Sequence, residues 1–391
     1  MVDFKNDREK LSELANLMNG QSETPIPMVT DDLLYIFDAV LEPEEVDFLL
    51  KMGGGNITLP QIESKMNLPK REFDRIFDNL LDKGHITQLE SEKGKDEAIY
   101  HLMTVFPGWF ELYLMRGAET PDRKAFAERL SSYYSLAADF DPEIINAILR
   151  QVGPQRSIAV ANPPKTRLIN IGEAIEPQVS EVFPPHSVVE IFNRLDENEV
   201  ITLGHCFCRQ QRKLVGDPCR MGLPEESCIT IGPAAEHLLT RNFARQITKE
   251  EALELIREVE EKGVIHQVGR VLPLKDLESK YDVDIICNCC WDCCGVVGNY
   301  HRGNTPFVLK SYYIAEIPDQ DLCNGCGTCE EFCPVQAISL NGKGKAEINP
   351  DMCCGCGMCA IHCTEEAIYL KPLEREVFLP MLSKSECRIP K

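Results

Sequence analysis

The sequence predicts a mixed α+β protein of several domains, and three observations carry that expectation. The chain has 391 residues, enough for two or three domains at roughly 150 residues each. Its first half places apolar residues at helical spacing, with short strand-like segments between. Its second half concentrates cysteine: of 19 in all, 18 lie between Cys206 and Cys363, Cys387 stands alone, and none precedes Cys206. A hydrophobic fraction of 43% and a charged fraction of 26% are ordinary for a globular chain. The expected division is 1–110, a helical and Pro-rich segment 111–186, a Cys-rich unit 187–310, and 311–391.

Charge and hydropathy exclude several classes. The formal net charge of −21 opposes binding to nucleic acid or anionic lipid. No apolar run approaches the roughly 20 residues of a membrane helix. The opening MVDFKNDREKLSELANLMNG is charged and has no apolar h-region, so a cytoplasmic location is expected. In that reducing compartment dense cysteines bind metal more often than they form disulfides. Neither G-x-G-x-x-G after a strand nor G-x4-G-K-[ST] occurs, so no dinucleotide or nucleoside triphosphate site is signalled.

From the N-terminus, LEPEEVDFLLKM reads as a helix and TLPQIESKMNL as a shorter one with Thr58 as N-cap. LPKREFDRIFDNLLDKG places Phe73, Ile76, Phe77, Leu80 and Leu81 on one face and ends at Gly84. HITQLE and AIYHLM follow as strands around a polar tip. This order resembles the winged helix-turn-helix fold. Across 31–106, however, 8 basic residues face 16 acidic ones, so protein docking is expected rather than DNA binding. Helices are expected over FAERLSSYYSLAADF and over DPEIINAILRQV, the latter with Asp141 as N-cap. Six prolines within 151–186 predict an extended arm or linker. Ser187 with Glu190, and Thr248 with Glu251, are capping-box pairs opening further helices.

The C-terminal region is an internal repeat. Cys323, Cys326, Cys329 and Cys333 follow C-x2-C-x2-C-x3-C, ending in Pro334; Cys353, Cys356, Cys359 and Cys363 repeat it 30 positions later. The flanks repeat too, CPVQAISL matching CTEEAIYL. Gly325, Gly327, Gly355 and Gly357 allow tight loops within each run. Over about 315–372 this resembles the bacterial-type ferredoxin domain with two [4Fe–4S] clusters. In that family the fourth cysteine of each run serves the other cluster. The resemblance therefore implies Cys323, Cys326, Cys329 and Cys363 for one cluster, and Cys353, Cys356, Cys359 and Cys333 for the second. Zinc favours separated C-x2–4-C pairs, a different spacing. Thr364 stands where the family prefers Pro, and Cys354 is read as lying outside both ligand sets.

Upstream, Cys206, Cys208, Cys219 and Cys228 occupy one segment, and Cys287, Cys289, Cys290, Cys293 and Cys294 another. An extended C-x-C pair would place Cys206 and Cys208 on one side. H-x-C-x-C-R and I-C-N-C-C ahead of a two-cluster ferredoxin module resemble multi-cluster iron–sulfur proteins of anaerobes. Nine thiols suffice for one cluster or two, and zinc uses the same donors. The reading taken is a third [4Fe–4S] cluster. Arg209, Arg212 and Lys213 either offset its charge or form a solvated basic turn. Trp291 either shields it or is core, and His205 is a hydrogen-bonding neighbour.

The expected whole is an electron-transfer subunit of an anaerobic oxidoreductase complex, partnered by a flavoprotein, a metallo-oxidoreductase or a ferredoxin. The alternatives are a redox-sensing regulator with a winged-helix domain, and an enzyme whose incompletely ligated upstream cluster is the substrate site.

Overall fold

The computed structural model describes residues 4–21, 29–89, 98–136, 156–159, 187–269, 284–304, 310–311 and 313–373. The expected helix from Asp141, most of the proline-rich stretch, the polar tip between the first two long strands, and Cys387 fall outside these residues. Helix and strand are mixed throughout, as the α+β expectation requires.

The N-terminal part opens with α1 (Arg8–Asn19), α2 (Asp31–Val40) and α3 (Pro43–Met52). Short strand β1 (Ile57–Thr58) leads into α4 (Leu59–Met66), where Thr58 and Gln61 form a capping box. Helix α5 (Lys70–Asp82) buries Phe73, Ile76, Phe77, Leu80 and Leu81, the face its spacing predicts. Gly84 then adopts φ +78°, which lets the chain turn into β2 (Ile86–Leu89); β3 (Ile99–Leu102) pairs with both β1 and β2. A π-turn at Val105–Trp109 contains Pro107, whose missing N–H disfavours ordinary helical bonding. It continues into α6 (Phe110–Met115), and α7 (Pro121–Leu136) packs along α2. Trp109 is fully buried between Phe37, His85 and Phe126.

The central part is a six-stranded sheet, antiparallel at every pairing, in the order β4-β8-β9-β6-β5-β7. Its strands are β4 (Arg156–Ala159), β5 (Ile201–His205), β6 (Glu226–Ile231), β7 (Arg245–Gln246), β8 (Ile265–Gly269) and β9 (Ile285–Cys289). Strand β4 lies in the stretch expected to be linker; four of its residues instead complete an edge of this sheet.

Helices α8 (Ser187–Arg194) and α11 (Lys249–Glu260) share a core with Ile229, Ile231, Ile265 and Ile286. Thr248 and Glu251 cap α11 as their spacing predicts. Helices α9 (Phe207–Leu214) and α10 (Pro233–Thr240) instead send Phe207, Leu214 and Leu238 into the N-terminal core. Helix α12 (Val297–His301) follows the second cysteine segment.

The C-terminal part is built twice. Strand β10 (Tyr313–Glu316) pairs with β13 (Tyr369–Pro372), and β11 (Ile338–Leu340) pairs with β12 (Ala346–Ile348). Helical turns α13 (Thr328–Glu331) and α14 (Met358–Ile361) occupy equivalent positions. The duplication reaches individual torsions: Gln336 and Glu366, neither a glycine, have φ of 56° and 53°. Phe332 stacks on its counterpart His362 with ring centroids 3.7 Å apart. No helix among the described residues is long and apolar enough to cross a membrane.

Candidate metal centres

Each half of the C-terminal repeat forms a loop closed by glycine. Gly325 and Gly355 have φ of 76° and 70°. A Cβ on either would collide with a backbone carbonyl, that of Gly344 or of Tyr313. The loops thus pass too close to neighbouring chain for any side chain. Backbone N–H groups point at the sulfurs in matched fashion: Ala337 donates to Cys333 Sγ (3.1 Å) and Ala367 to Cys363 Sγ (3.4 Å). Ala346 donates to Cys323 Sγ (3.4 Å) and Ala315 to Cys353 Sγ (3.5 Å). Such donors stabilise thiolate charge.

The fold brings the eight repeat cysteines into two sets across the run boundary. Cys329 lies among Cys323, Cys363 and Cys326; burial first, then their charges, raise its pKa to about 11. Cys333, Cys353, Cys356 and Cys359 line a single cavity with Pro334 and Gly355. Burial pushes Cys333 up to about 12 and Cys359 well above its ordinary value. In the second set Cys333, Cys356 and Cys359 all resist ionisation, and crowded thiols of that kind suit an occupant whose positive ions replace their protons. A [4Fe–4S] cluster would meet that requirement.

The two sets differ in exposure. Cys326 is exposed and Cys323 and Cys363 are half-buried, whereas all four of the second set are buried. The contact of Cys326 Sγ with Thr328 Oγ1, at 3.4 Å, lowers that thiol's pKa. Cys354 is buried on the same cavity wall as Cys356, and their side chains touch. Thr364, the departure from Pro, is exposed, whereas Pro334 is buried.

The upstream cysteines come together from three segments. Cys206 is the N-cap of α9 and Cys208 lies in its first turn, so the pair spans a strand–helix junction rather than extended backbone. Cys219 sits in the loop before β6, and the Cys287–Cys294 run ends β9 and turns back on itself. Cys219 Sγ is 3.8 Å from Cys290 Sγ, which is 3.2 Å from Cys293 Sγ. Contacts with Cys290 and Cys293 lower the Cys219 pKa to about 2, and Cys290 rises to about 12. The other thiols form a chain of side-chain contacts, Cys206 to Cys208, Cys208 to Cys294, Cys294 to Cys289 and Cys289 to Cys287. A Cβ on Gly295 would lie 3.1 Å from Cys208 Sγ, so this close packing uses the glycine. Cys228 lies opposite Cys287 in the sheet register and packs toward the N-terminal core.

The basic residues after C-x-C have separate fates. Arg209 is buried, donating to Ser227 Oγ (2.6 Å) and to the Pro224 carbonyl. Burial opposes its charge, but Cys206, Cys293, Cys290 and Cys219 around it raise its pKa overall. Its Nε and Nη2 have no hydrogen-bond partner. Arg212 pairs with Asp217, and Lys213 turns outward to Glu119 and Glu225 at 2.8 and 2.7 Å. The solvated-turn reading therefore holds for Lys213 alone. His205 Nε2 stands 3.9 Å from Glu225, and Trp291 is half-buried against the central core.

Sequence reading missed four residues here. Buried Asp292 accepts the Arg220 N–H at 2.7 Å and faces Arg302 Nη2 at 3.9 Å. Asn288 donates to the Ser227 carbonyl (2.8 Å) and its Oδ1 meets His266 Nδ1 at 2.7 Å. His266 Nε2 in turn stands 3.3 Å from Glu260 Oε1. Asp292 and Asn288 lie inside the cysteine run, where a polar residue due for burial is a signal. Arg302 and His266 carry no local pattern.

Comparison with known proteins agrees with the C-terminal part. The 4Fe-4S binding domain family matches residues 316–339. A probable ferredoxin of Methanosarcina thermophila is 55% identical over 29 residues, which is 7% of this chain and 50% of that protein. The match thus spans about half the length of that relative. No solved structure matches the chain. The chain contains a ferredoxin-like 4Fe-4S binding domain, which suggests an iron–sulfur electron-transfer role.

Proposed function

We propose that this protein relays low-potential electrons between redox proteins, as an iron–sulfur subunit of an oxidoreductase complex. The observation that carries this reading is the duplicated thiol loop, with matched glycines, matched N–H donors and eight cysteines in two sets. Cys323, Cys326, Cys329 and Cys363 hold one [4Fe–4S] cluster, and Cys353, Cys356, Cys359 and Cys333 hold the other. Cubane clusters exchange single electrons while their ligands stay in place, and the surrounding hydrogen bonds and burial set the potential. The exposed Cys326 rim is where a flavoprotein, a metallo-oxidoreductase or a ferredoxin would deliver or take an electron. The upstream thiols supply a third [4Fe–4S] centre, with Arg209 offsetting its negative charge.

The N-terminal part resembles a winged helix in its order of three helices and paired strands. A DNA role is disfavoured by its charge and by helix α5 itself: Asp78 and Asp82 pair with Arg241, and Asp82 with Arg116. That side of α5 is docked on its own chain. A protein-docking platform is the reading that fits.

Iron and acid-labile sulfide per chain, counted on anaerobically purified protein, test the proposal, with EPR after dithionite reduction. About eight of each belong to the repeat, and about twelve to the repeat plus an upstream cluster. Sulfide below about eight, or clusters that no low-potential dye can oxidise, would defeat it.

A further inference from the structure

The upstream thiols are not one set. The run Cys289-Cys290-Trp291-Asp292-Cys293-Cys294 divides each of its vicinal pairs between two neighbourhoods. Cys290 and Cys293 meet Cys219. Cys289 and Cys294 meet each other, with Cys208 beyond. Side chains of adjacent residues diverge, so a loop that presents two such pairs builds a site on each of its sides.

The two neighbourhoods also differ in spacing. The sulfurs of Cys219, Cys290 and Cys293 all lie within 4.8 Å of one another. Among the described residues no other three His, Cys, Asp or Glu side chains do so. Four thiolates tetrahedrally placed at about 2.3 Å from one ion stand about 3.8 Å apart. The Cys219–Cys290 distance is 3.8 Å. A cubane carries each cysteine on a different iron at an outer corner and needs its thiolates further apart. The repeat cysteines, which the ferredoxin domain dedicates to such clusters, contain no triplet within that limit.

Charge supports the same division. A divalent ion on three thiolates leaves one negative charge. The charges of Cys290 and Cys293 act on buried Arg209 and Arg302, and Arg209 Nε and Nη2 and Arg302 Nη2 are donors without a hydrogen bond. Asp292 Oδ1 faces Arg302 Nη2 at 3.9 Å, beyond hydrogen-bond distance.

We infer that Cys219, Cys290 and Cys293 bind a single thiophilic divalent ion, zinc, at a site separate from any upstream iron–sulfur cluster. Its fourth position takes a non-cysteine ligand, water or a small anion, beside the Arg209 and Arg302 donors. With Cys228 packed toward the N-terminal core, Cys206, Cys208, Cys287, Cys289 and Cys294 are left for the cluster. The inference deepens the upstream part of the proposed function and rests on the upstream cysteines binding metal.

The test uses the full chain purified anaerobically, with zinc, iron and sulfide counted together and zinc-edge X-ray absorption on the same sample. About one zinc per chain with about three sulfur neighbours is expected. Cys219→Ser, in a loop outside the strands, should release that zinc while sulfide stays constant. Cys289→Ser should lower sulfide by about four per chain and keep the zinc. One iron in excess of sulfide, lost on Cys219→Ser, would support a single-ion site and correct the metal. A fall in sulfide on Cys219→Ser would overturn the inference, because the triad would then belong to a cluster. So would a zinc with four sulfur neighbours, or no change in any metal. Wild-type sulfide of about eight with the zinc present would remove the third cluster and leave the single-ion site standing. The EPR of the reduced repeat clusters and the melting temperature report whether each variant has folded.

Discussion

The C-terminal repeat and the upstream thiol patch gather their cysteines by opposite strategies. In the repeat, three cysteines of each set lie within seven residues of chain, and a glycine at φ above 70° or close to it bends each loop. Three of the four cysteines of each set are therefore local in sequence. In the upstream patch, Cys219 and Cys290 are 71 residues apart in sequence yet 3.8 Å apart in space. That site exists only once the sheet has paired β6 with β9 and buried Arg209, Asp292 and Arg302. A local site depends on backbone torsions; an assembled one depends on buried charge.

The largest effect should come from that buried charge. Asp292→Ala strips the partner from Arg302 and Arg220 and should destabilise the central part by about 4 kcal/mol. Upstream metal should be lost while the repeat keeps its iron. Calorimetry and metal counts that show both regions failing together would mean that the two sites share one folding unit.

Acid should reach the N-terminal core and the helix docked on it next. Burial lowers the His237 pKa to about 4 against an ordinary 6.5, and its Nδ1 meets the Gln88 carbonyl at 3.0 Å. Fully buried His85 shifts the same way, well below its ordinary value. Between pH 6.5 and 4 the unfolded chain therefore binds protons that the folded chain refuses. Stability contributed by His237 is complete above 6.5 and declines by about 3 kcal/mol as pH falls to 4. Melting followed through buried Trp109 should show this slope, and His237→Gln should flatten it. An unchanged slope would remove His237 from the account.

Backbone strain tests the local strategy. Gly355→Ala and Gly325→Ala should each destabilise by about 2 kcal/mol and reduce repeat sulfide. The upstream zinc should survive both. Equal loss of upstream metal would show that the two regions are one cooperative unit. The smallest effect is expected at α11, which joins the regions through the Glu260 carbonyl and His362 Nε2 at 3.0 Å. Thr248→Ala removes its cap and should lower stability by about 1 kcal/mol, with metal content untouched.

The same contrast explains what was legible beforehand. The repeat cysteines, their glycines and their C-terminal flanks are a periodic pattern, so register alone locates them. The helix faces of α5 and α11 and the caps of α4 and α11 were legible because each depends on residues three or four apart. Linear order could not show that Cys289 and Cys290 face different neighbourhoods, since that depends on how the run leaves β9. It could not show that Arg209 turns inward while Lys213 turns outward, since both sit in one short helix with no apolar reference between them. Strand β4 was hidden for a similar reason. Arg156–Ala159 carries no strong alternation, and its partner β8 lies more than 100 residues away.

The stack of Phe332 on His362 marks the seam of a duplicated unit, and the duplication is no longer symmetric in its surroundings. One half turns its cysteine rim to water at Cys326; the other presses its rim against the body of the protein. On the proposed reading, two clusters held by similar loops in surroundings of different polarity would take up an added electron with different energy, and dioxygen would reach the Cys326 half first.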